Sequence, residues 1–424
     1  MGAPLFAPFQ GWLVRPQWAE QVAAAAYDSM SAEQRRIFVE KNPYSYLGIT
    51  RSREDLLDGC SEADLLQFCI TAFQRLIEVE AFVQSAQPTY YAYRLSSANS
   101  SSTAHPNDRV FDQLGIVGAL DVDGLRDGRV LTHENIRAER ASLITEHLSQ
   151  VGASSSPIAL THVAAPEFTE ILASVVKRIP EVDVLVDGIR NQVWGLNERE
   201  TDNIQPLLSD TKVFVTDGHH RCAASLAARD AHLNERAYAR TLAVLFPHDQ
   251  LVVEAFHRRV PNQAERSFEA LLRDLRHLGT VTELPGDTAL LPQPSARGEV
   301  VVYLQKRWLQ LVFDPVAQST PLQALDVERV RCEIIGAVLG VDETAGNSVD
   351  YIPQPVGVAE LVRRCDLDGY VGLVLYPTDI NDLMAVAAAG ELMPPKSSYL
   401  NPKPPSGVFL RTLGVGATKN LAAS

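Results

Sequence analysis

The chain has 424 residues, 46% of them hydrophobic, which is enough for a sizeable buried core in two or three domains or in one elaborated domain. Its 38 basic and 52 acidic residues leave a formal net charge of −14, which disfavours nonspecific contact with nucleic acid or anionic lipid. No basic leader with an apolar core and no run of eighteen apolar residues occurs. We therefore expect a cytoplasmic protein with neither nucleic acid nor membrane as a partner.

The cysteines exclude two further classes of protein. There are five, they are scattered along the chain, and no two form a Cys-x-x-Cys pair. Neither a disulfide framework nor a structural zinc site is indicated, and reduced thiols are expected.

The first predicted elements are helical and are followed by a β-hairpin. A helix is expected over 17–41, interrupted near Asp28, with Ser31 and Gln34 spaced as a capping box. A second helix is expected over 53–84. The tyrosine alternation at 89–97 and the apolar run at 115–122 predict two strands joined by the polar loop SSANSSSTAHPND.

The middle of the chain alternates between strands and helices without an internal repeat. The expected elements are a strand at 129–132, a helix ending at Gly152, a strand at 158–160, a helix over 167–190, strands near 193–196 and 212–216, a helix to about 230 and a strand at 239–247. The pattern predicts a mixed α/β (α+β) fold with one region over 1–250 and a C-terminal α/β region over 251–424. The stretch at 283–299 has the most linker-like composition.

The sequence VFVTDGHHRCAASLAA (213–228) places five polar or glycine residues where a strand passes into a helix. Backbone N–H groups at such a helix start favour an anion, and Gly218 allows a ligand to approach the backbone closely. Arg221 suits phosphate, while His219 and His220 can donate hydrogen bonds or move protons. Asp217 could hold magnesium or a hydroxyl. Alternatively, Asp217 only caps the helix and the histidines satisfy core hydrogen bonds.

Two other segments carry candidate site residues. The pair His133 and Glu134 is predicted to end a strand and start a helix, where the carboxylate could act as a general base, although a Glu in a first helical turn is often only a favourable dipole contact. The proline-rich segment ELMPPKSSYLNPKPPSG (391–407) could neutralise phosphate with Lys396 and Lys403 and donate hydrogen bonds from its serines. An ordinary surface turn is the alternative.

The motifs AAYDSMS, NPYSYLGITRS, LGIVGALDV, HE, DGHHR, FHRRV and MPPKSSYLNPK occur in this order along most of the chain. In this combination the sequence resembles domain-of-unknown-function family 1015, which is related to free-serine kinases of the ParB/sulfiredoxin-like fold. The resemblance implies a ParB/sulfiredoxin-like core at about 86–250 with elaborated N-terminal and C-terminal segments, the latter contributing the MPPKSSYLNPK loop.

The resemblance also implies an activity: a small-molecule kinase that transfers a phosphoryl group from ATP or ADP, with Mg²⁺, to the hydroxyl of a free amino acid. L-serine is the simplest acceptor, and threonine and homoserine remain open. Glu134 would take the proton from this hydroxyl, and Asp217 would bind the metal. The phosphoryl group would be positioned by Asp217, His219, His220 and Arg221. The nucleotide would be bound by a wider set of residues: His133, Gly218, His219, His220, Arg221, Lys396, Ser397 and Lys403.

Two other classes of protein remain as alternatives. A ParB-like nucleotide switch or DNA-associated protein would have a basic, arginine-rich turn, which the acidic balance disfavours. A sulfiredoxin-like reductase needs a cysteine inside the phosphate turn, and here Cys222 follows Arg221 and lies already on the helix. A redox role would require an accessible Cys222 thiol of low pKa. No Walker loop is present, so the nucleotide would be held differently.

Overall fold

The computed structural model describes residues 4–55, 59–97, 110–209, 211–263, 266–285, 291–315, 320–343 and 348–418. The chain forms two units. Unit 1 contains the residues up to Thr132, Ile136–Leu251 and the residues from Pro402 onwards, and unit 2 contains His133–Asn135 and Val252–Asn401. The segment from Pro402, which the sequence assigned to the C-terminal region, is thus part of unit 1. The mixed α/β class expected from the sequence is confirmed.

Unit 1 is built on two sheets. Its strands are β1 Phe6–Ala7, β2 Trp12–Val14, β3 Phe82–Gln84, β4 Tyr91–Ser97, β5 Asp112–Asp121, β6 Val130–Leu131, β7 Ala153–Ser154, β8 Ile158–His162, β9 Val182–Val186, β10 Ile189–Gly195, β11 Val213–Asp217, β12 Arg240–Pro247 and, from the end of the chain, β21 Phe409–Thr412. In the described residues the larger sheet has the order β6-β11-β8-β12-β5-β4-β10-β9, with β1 also on β5, and the smaller sheet has the order β3-β2-β21-β7.

Unit 1 also contains helices, several of which pack on its larger sheet. They are α1 Ala19–Val22, α2 Ala32–Lys41, α3 Glu62–Glu78, α4 Ala138–Val151, α5 Pro166–Val175, α6 Glu198–Ser209 and α7 His219–Ala231. All residues of β8 are buried, as are nearly all of β12, as expected for central strands with both faces covered. The main core joins β8 and β11 to α5 and α6 through side chains such as Leu160, Val215, Phe168 and Ile204.

Several local predictions for unit 1 are confirmed. The capping box of Ser31 and Gln34 opens α2, with Ser31 N–H donating to Gln34 Oε1 at 2.8 Å. Strands β4 and β5 form the expected antiparallel hairpin, and their connection at 98–109 lies outside the described residues. The strands at 158–162 and 213–217 and the helix to Ala231 also lie where the sequence placed them.

Three predicted elements of unit 1 are wrong. The second helix is shorter than expected, because Ser61 caps its start and the chain turns into β3 after it. The helix over 167–190 ends at Val175, and β9 follows because Val182 and Val184 alternate with exposed neighbours, a period of two. His133 and Glu134 do not start a helix, since α4 begins at Ala138.

Unit 2 is a second mixed unit with its own core. Its strands are β13 Val252–Glu254, β14 Phe256–Val260, β15 Gly279–Leu284, β16 Glu299–Leu304, β17 Arg307–Phe313, β18 Asp350–Pro353, β19 Val371–Leu375 and β20 Tyr399–Asn401. In the described part, six of them are ordered β15-β17-β16-β19-β14-β18, and β13 pairs with β20. Its helices are α8 Phe268–Leu275, α9 Asp326–Arg329, α10 Val358–Asp368 and α11 Ile380–Ala388, and α9 continues into the π-helix Val330–Val338.

The linker-like stretch at 283–299 belongs to unit 2. Its two ends lie in β15 and β16, which are strands of one sheet, and its residues 286–290 lie outside the described part of the chain. Among the residues described, no helix combines the length and the apolar character that a membrane crossing requires.

Candidate functional site

The DGHHR segment lies where β11 passes into α7. Asp217 is the last residue of β11, His219 is the first of α7, and Gly218 between them is the N-cap with φ of 100°. This positive φ is open to glycine at little cost and is strained for other residues. The first N–H groups of α7, a helix of 13 residues, therefore follow Asp217 directly in the chain.

Gly218 also makes room for the Arg221 side chain. A Cβ atom at position 218 would lie 2.9 Å from Arg221 Nε and 3.0 Å from Arg221 Nη2. The guanidinium therefore folds back over the N-cap. There Arg221 Nη1 donates to the carbonyl oxygen of Pro157 at 2.8 Å, which holds the side chain on the β7–β8 connection.

Two cations contact the Asp217 carboxylate in unit 1. Arg221 Nη2 donates to Asp217 Oδ2, and Lys403 Nζ lies 3.3 Å from Asp217 Oδ1. Lys403 belongs to the segment just before β21, so its position depends on the end of the chain. These three residues, Asp217, Arg221 and Lys403, are called the Asp217 cluster below. The sequence predicted each of them as a site residue, and the structure brings them together.

The electrostatics of the cluster keep Asp217 ionised. Burial alone would raise the pKa of this carboxyl, but Lys403 and Arg221 outweigh it, with a smaller contribution from His219, and hold the pKa well below its usual range. The carboxylate is thus a fixed negative charge that orders two cations beside a helix N-terminus.

The two histidines of the motif have different surroundings. His219 is only 4% exposed, and its charge can act on Asp217. His220 Nε2 accepts a hydrogen bond from the backbone N–H of Arg137 at 3.0 Å. Because Arg137 is the N-cap of α4, this bond ties the first turn of α7 to the start of α4.

Sequence reasoning missed one cation beside the cluster. Arg140, in the first turn of α4, lies close enough to Arg221 and Asp217 for its charge to interact with both. Its guanidinium carbon is 4.9 Å from the ring centroid of Tyr27. A signal was available, because the helix dipole disfavours an arginine in a first helical turn, so another interaction is expected to hold it there.

The remaining predicted site residues lie in unit 2. The backbone N–H of Met393 donates to the carbonyl oxygen of His133 at 2.8 Å, and Glu134 pairs with Met393 in a parallel bridge. This pairing brings His133 and Glu134 to the turn that contains Lys396 and Ser397. Ser397 is buried and its hydroxyl donates to the carbonyl oxygen of Pro394 at 2.7 Å, so it serves the turn itself.

Lys396 has an unusual backbone conformation within this turn. Its φ is 55°, in the left-handed region that favours glycine, and its Nζ lies 5.3 Å from the ring centroid of Phe256. The ammonium is thus held over an aromatic face, and this favourable contact offsets part of the cost of the backbone conformation.

The redox alternative does not agree with the thiol at position 222. Cys222 is 2% exposed on α7, and burial raises its pKa to about 12. A reactive thiol needs the opposite, an accessible sulfur of lowered pKa. The Cys222 thiol therefore does not suit a sulfiredoxin-like reductase.

A resident magnesium ion does not fit the Asp217 cluster as it stands. Mg²⁺ prefers an octahedral set of oxygens, commonly one or two carboxylates with substrate phosphates. Both oxygens of Asp217 face cations, and the described residues contain no group of three His, Cys, Asp or Glu side chains arranged for a metal. The charges that phosphate would meet here are those of arginine and lysine.

The fold and this site define a mixed α/β protein with a cationic cluster at a strand-to-helix turn. The family model described as "Protein of unknown function (DUF1015)" matches residues 6–328, and the chain belongs to that family. The resemblance inferred from the motifs is thereby confirmed. The match ends before Lys396 and Lys403. Among curated proteins the chain has no match.

Solved structures share a distant likeness with the chain. SbnI with a C-terminal truncation, from Staphylococcus aureus, is 13% identical over 67% of this chain and 82% of that chain, with a TM-score of 0.35. A free serine kinase variant in complex with ADP is 15% identical over 71% and 91%, with a TM-score of 0.32. A free serine kinase in complex with AMP is 14% identical over the same shares, with a TM-score of 0.29. At these TM-scores single residues do not align, and no role is transferred from them.

Proposed function

We propose that the protein is a small-molecule kinase that transfers a phosphoryl group from ATP or ADP to the side-chain hydroxyl of a free amino acid, with L-serine as the first acceptor to test. One observation carries the proposal: at the N-terminus of α7, two cations converge on one carboxylate beside a glycine N-cap. Such a turn suits the binding of phosphate, because helix N–H groups and side-chain cations act on the same anion.

In this reaction the protein would mainly position the reacting groups and neutralise the charge of the transferred phosphoryl group. In phosphoryl transfer, negative charge is spread over the equatorial oxygens of the transferred group, and a positioned cation stabilises it. Arg221 is suited to this role, because its fork is held by Asp217 and by the Pro157 carbonyl. Preorganised donors need no rearrangement when the charge develops.

The proton balance requires a base. The bond between the acceptor oxygen and phosphorus forms, the bond between phosphorus and the leaving phosphate oxygen breaks, and the hydroxyl proton is transferred to a carboxylate. We assign this role to Glu134, on the support of the motif order that the chain shares with its family. A positioned carboxylate contributes typically 10²- to 10⁴-fold to such a step.

Magnesium belongs to this proposal as a companion of the nucleotide. When bound, it would neutralise charge on the phosphate oxygens of ATP or ADP. Asp217 was the predicted ligand, and the cations on both of its oxygens favour the alternative that it acts as the counter-ion of Arg221 and Lys403.

The test is direct detection of product. Purified protein is incubated with ATP or ADP, with magnesium, and with a panel of free hydroxy amino acids headed by L-serine, threonine and homoserine, and products are identified by phosphorus NMR and mass spectrometry. Formation of one phosphorylated amino acid supports the kinase and names donor and acceptor together. A folded protein that binds nucleotide but phosphorylates no acceptor would instead favour a nucleotide-binding switch.

A further inference from the structure

The segment that follows Lys403 is fixed to the rest of unit 1 at Ser406. The N–H of Ser406 donates to the carbonyl oxygen of Ala24 at 2.9 Å, and the N–H of Ala24 donates to the carbonyl oxygen of Ser406 at 2.9 Å. The hydroxyl oxygens of Ser406 and Ser156 lie 2.6 Å apart, in a hydrogen bond that either can donate. Because Ser406 is only 3% exposed, its bonds are largely shielded from competing water.

Ser155 holds the next residues of the same segment. Its hydroxyl accepts from the N–H of Gly407 at 2.6 Å and donates to the carbonyl oxygen of Phe409, the first residue of β21. Gly407 has a φ of 87°, and a Cβ atom there would lie 2.7 Å from the carbonyl oxygen of Val22. Only glycine accepts this conformation and this close approach without strain. The backbone at Gly407 is therefore confined both by Ser155 and by the chain at Val22.

Two prolines connect this fixed segment to Lys403. Pro404 and Pro405 are buried and lie between Lys403 and Ser406. A proline ring fixes its own φ and confines the residue before it to extended conformations. Lys403, Pro404 and Pro405, called the proline arm below, therefore have few backbone conformations. An arm this stiff transmits the position of Ser406 to the backbone of Lys403.

The connection between β7 and β8 also holds the other cation of the cluster. Pro157 follows Ser155 and Ser156 directly, and its carbonyl oxygen accepts from Arg221 Nη1 at 2.8 Å. Three consecutive residues thus hold the two cations that contact Asp217, one of them directly and the other through the proline arm. These residues lead into β8, a strand in which every residue is buried, so they have a fixed support.

We propose that Ser155 and Ser156 are positioning residues of the Asp217 cluster: their hydroxyls hold the proline arm so that the Lys403 ammonium stays on the carboxylate. Pro157 adds Arg221 from the same connection, so one short piece of backbone sets the spacing of the two cations. Charges that are placed in advance need no rearrangement when a ligand binds. The inference concerns the geometry of the cluster, and it rests on the proposed function only where ADP affinity is the readout.

The first experiment measures the reactivity of the Lys403 amine. Folded, full-length protein is treated briefly with formaldehyde and cyanoborohydride, and the dimethylation of each lysine is quantified by mass spectrometry. The Lys403 side chain is 14% exposed and ion-paired, so it should be labelled slowly, because only a neutral and accessible amine reacts. Lys177 and Lys212, which are exposed, serve as internal references.

The variants should raise the labelling of Lys403 in a graded order. Ser155→Ala removes two hydrogen bonds and should raise the labelling rate about fivefold to tenfold. Ser156→Ala leaves the backbone bonds of Ser406 in place and should raise the rate only about twofold to threefold. Pro405→Gly keeps both serine hydroxyls but loosens the proline arm, so it should also raise the rate. Labelling of the reference lysines should not change.

Ser61→Ala is the control for loss of a serine hydroxyl. Ser61 caps α3, and its Oγ accepts from the N–H of Asp64 at 3.2 Å. This variant should lose stability and leave the labelling of Lys403 unchanged. Circular dichroism and the thermal midpoint are measured for every variant, and labelling is compared at a temperature at which all of them are folded.

The second experiment tests whether Ser155 acts on ADP binding through Lys403. Calorimetric titration should show that Ser155→Ala weakens ADP binding about threefold to tenfold in the wild-type background and has no further effect in Lys403→Ala. Two changes that act on one contact are not additive, whereas an independent structural effect of the serine would add to that of the lysine.

Three results would overturn the inference: unchanged labelling of Lys403 in Ser155→Ala and Ser156→Ala, a rise of the same size in Ser61→Ala, or losses of ADP affinity that add in the double variant. If the labelling of Lys403 rises as expected but the wild type does not bind ADP, the positioning role stands and the proposed function fails.

Discussion

Lys403 Nζ lies 3.3 Å from Asp217 Oδ1, so a lysine near the end of the chain is the ion-pair partner of a carboxylate in its middle. The lysine side chain is only 14% exposed, and its ammonium lowers the pKa of Asp217. A partly buried pair of this kind orders the charges that a phosphate would meet.

Lys403→Ala should weaken nucleotide binding. Removal of the ammonium leaves Arg221 as the one cation in contact with the Asp217 carboxylate and lowers the positive charge offered to phosphate. We expect the dissociation constant for ADP to rise about tenfold, as for loss of one charge-assisted contact. Calorimetric titration measures it, and Lys212→Ala, at an exposed lysine just before β11, is the matched control. Equal ADP affinity in Lys403→Ala and wild type would mean that the ion pair between Lys403 and Asp217 contributes to stability alone.

Gly218→Ala should damage both stability and binding. The variant must adopt a φ of 100°, and its Cβ would displace Arg221, whose Nε lies 2.9 Å from that position. We expect a loss of about 1–2 kcal/mol in the free energy of unfolding, measured with urea, together with weaker ADP binding.

Gly128→Ala is the control for Gly218→Ala. Gly128 also has a positive φ, 77°, but a Cβ there meets no atom within 4 Å. It should lose stability to a similar extent and keep its ADP affinity. Weaker binding in Gly128→Ala as well would mean that strain alone, and not the position of Arg221, controls the site.

Glu134→Gln tests the general base. The amide has nearly the same shape but cannot accept the hydroxyl proton, so turnover should fall about 10²- to 10⁴-fold while ADP affinity is retained. Steady-state rates and calorimetry measure the two quantities. Glu139→Gln changes a carboxylate that is 83% exposed on α4 and should behave as wild type. An undiminished rate in Glu134→Gln would remove this residue from the mechanism.

His162 should make unit 1 sensitive to acid. It is 1% exposed at the end of β8, packs against Phe168 with ring centroids 4.8 Å apart, and neither ring nitrogen has a hydrogen-bond partner among the described residues. Burial, with a smaller effect of His248, lowers its pKa to about 4. The folded state therefore binds fewer protons than the unfolded state between about pH 6.5 and pH 4, and stability falls as the pH falls through this window.

His162→Leu should remove this part of the pH dependence. Wild type should lose about 1–2 kcal/mol of unfolding free energy between pH 7 and pH 5 through this group, and the variant should lose correspondingly less. Urea denaturation at both pH values measures the difference. His232→Leu, at a partly exposed histidine on the surface of unit 1, is the comparison, and identical pH slopes in wild type and His162→Leu would contradict the prediction.

The turn at Asp217 could be predicted from the sequence because its signals are local. A β-branched run, one glycine and an alanine-rich segment lie within sixteen residues. They indicate a strand, a turn and a helix, in that order. The same holds for the capping box at Ser31. The boundary of α4 could not be obtained in this way, because Glu134 pairs with Met393, a contact distant in sequence that overrides local helix preference.

Only one of the two cations that contact Asp217 could be predicted as its partner from the sequence. Arg221 follows Asp217 by four residues, in the first turn of α7, and this short spacing alone can suggest the contact. The contact with Lys403 depends on β21 pairing with β2 and β7, and no periodicity in the sequence encodes that pairing. Arg140 was overlooked because α4 was interpreted through its apolar positions, and its contact with Tyr27 joins two segments with no spacing rule between them.

The position of β21 has a consequence for how the protein matures. This strand pairs with β2 and β7 of unit 1, but the ribosome synthesises it after all of unit 2. Until the residues that follow unit 2 are synthesised, the smaller sheet of unit 1 lacks β21 and Asp217 lacks its contact with Lys403. Translation that stops before Lys403 yields chains that contain the whole DGHHR motif but lack both β21 and this cation.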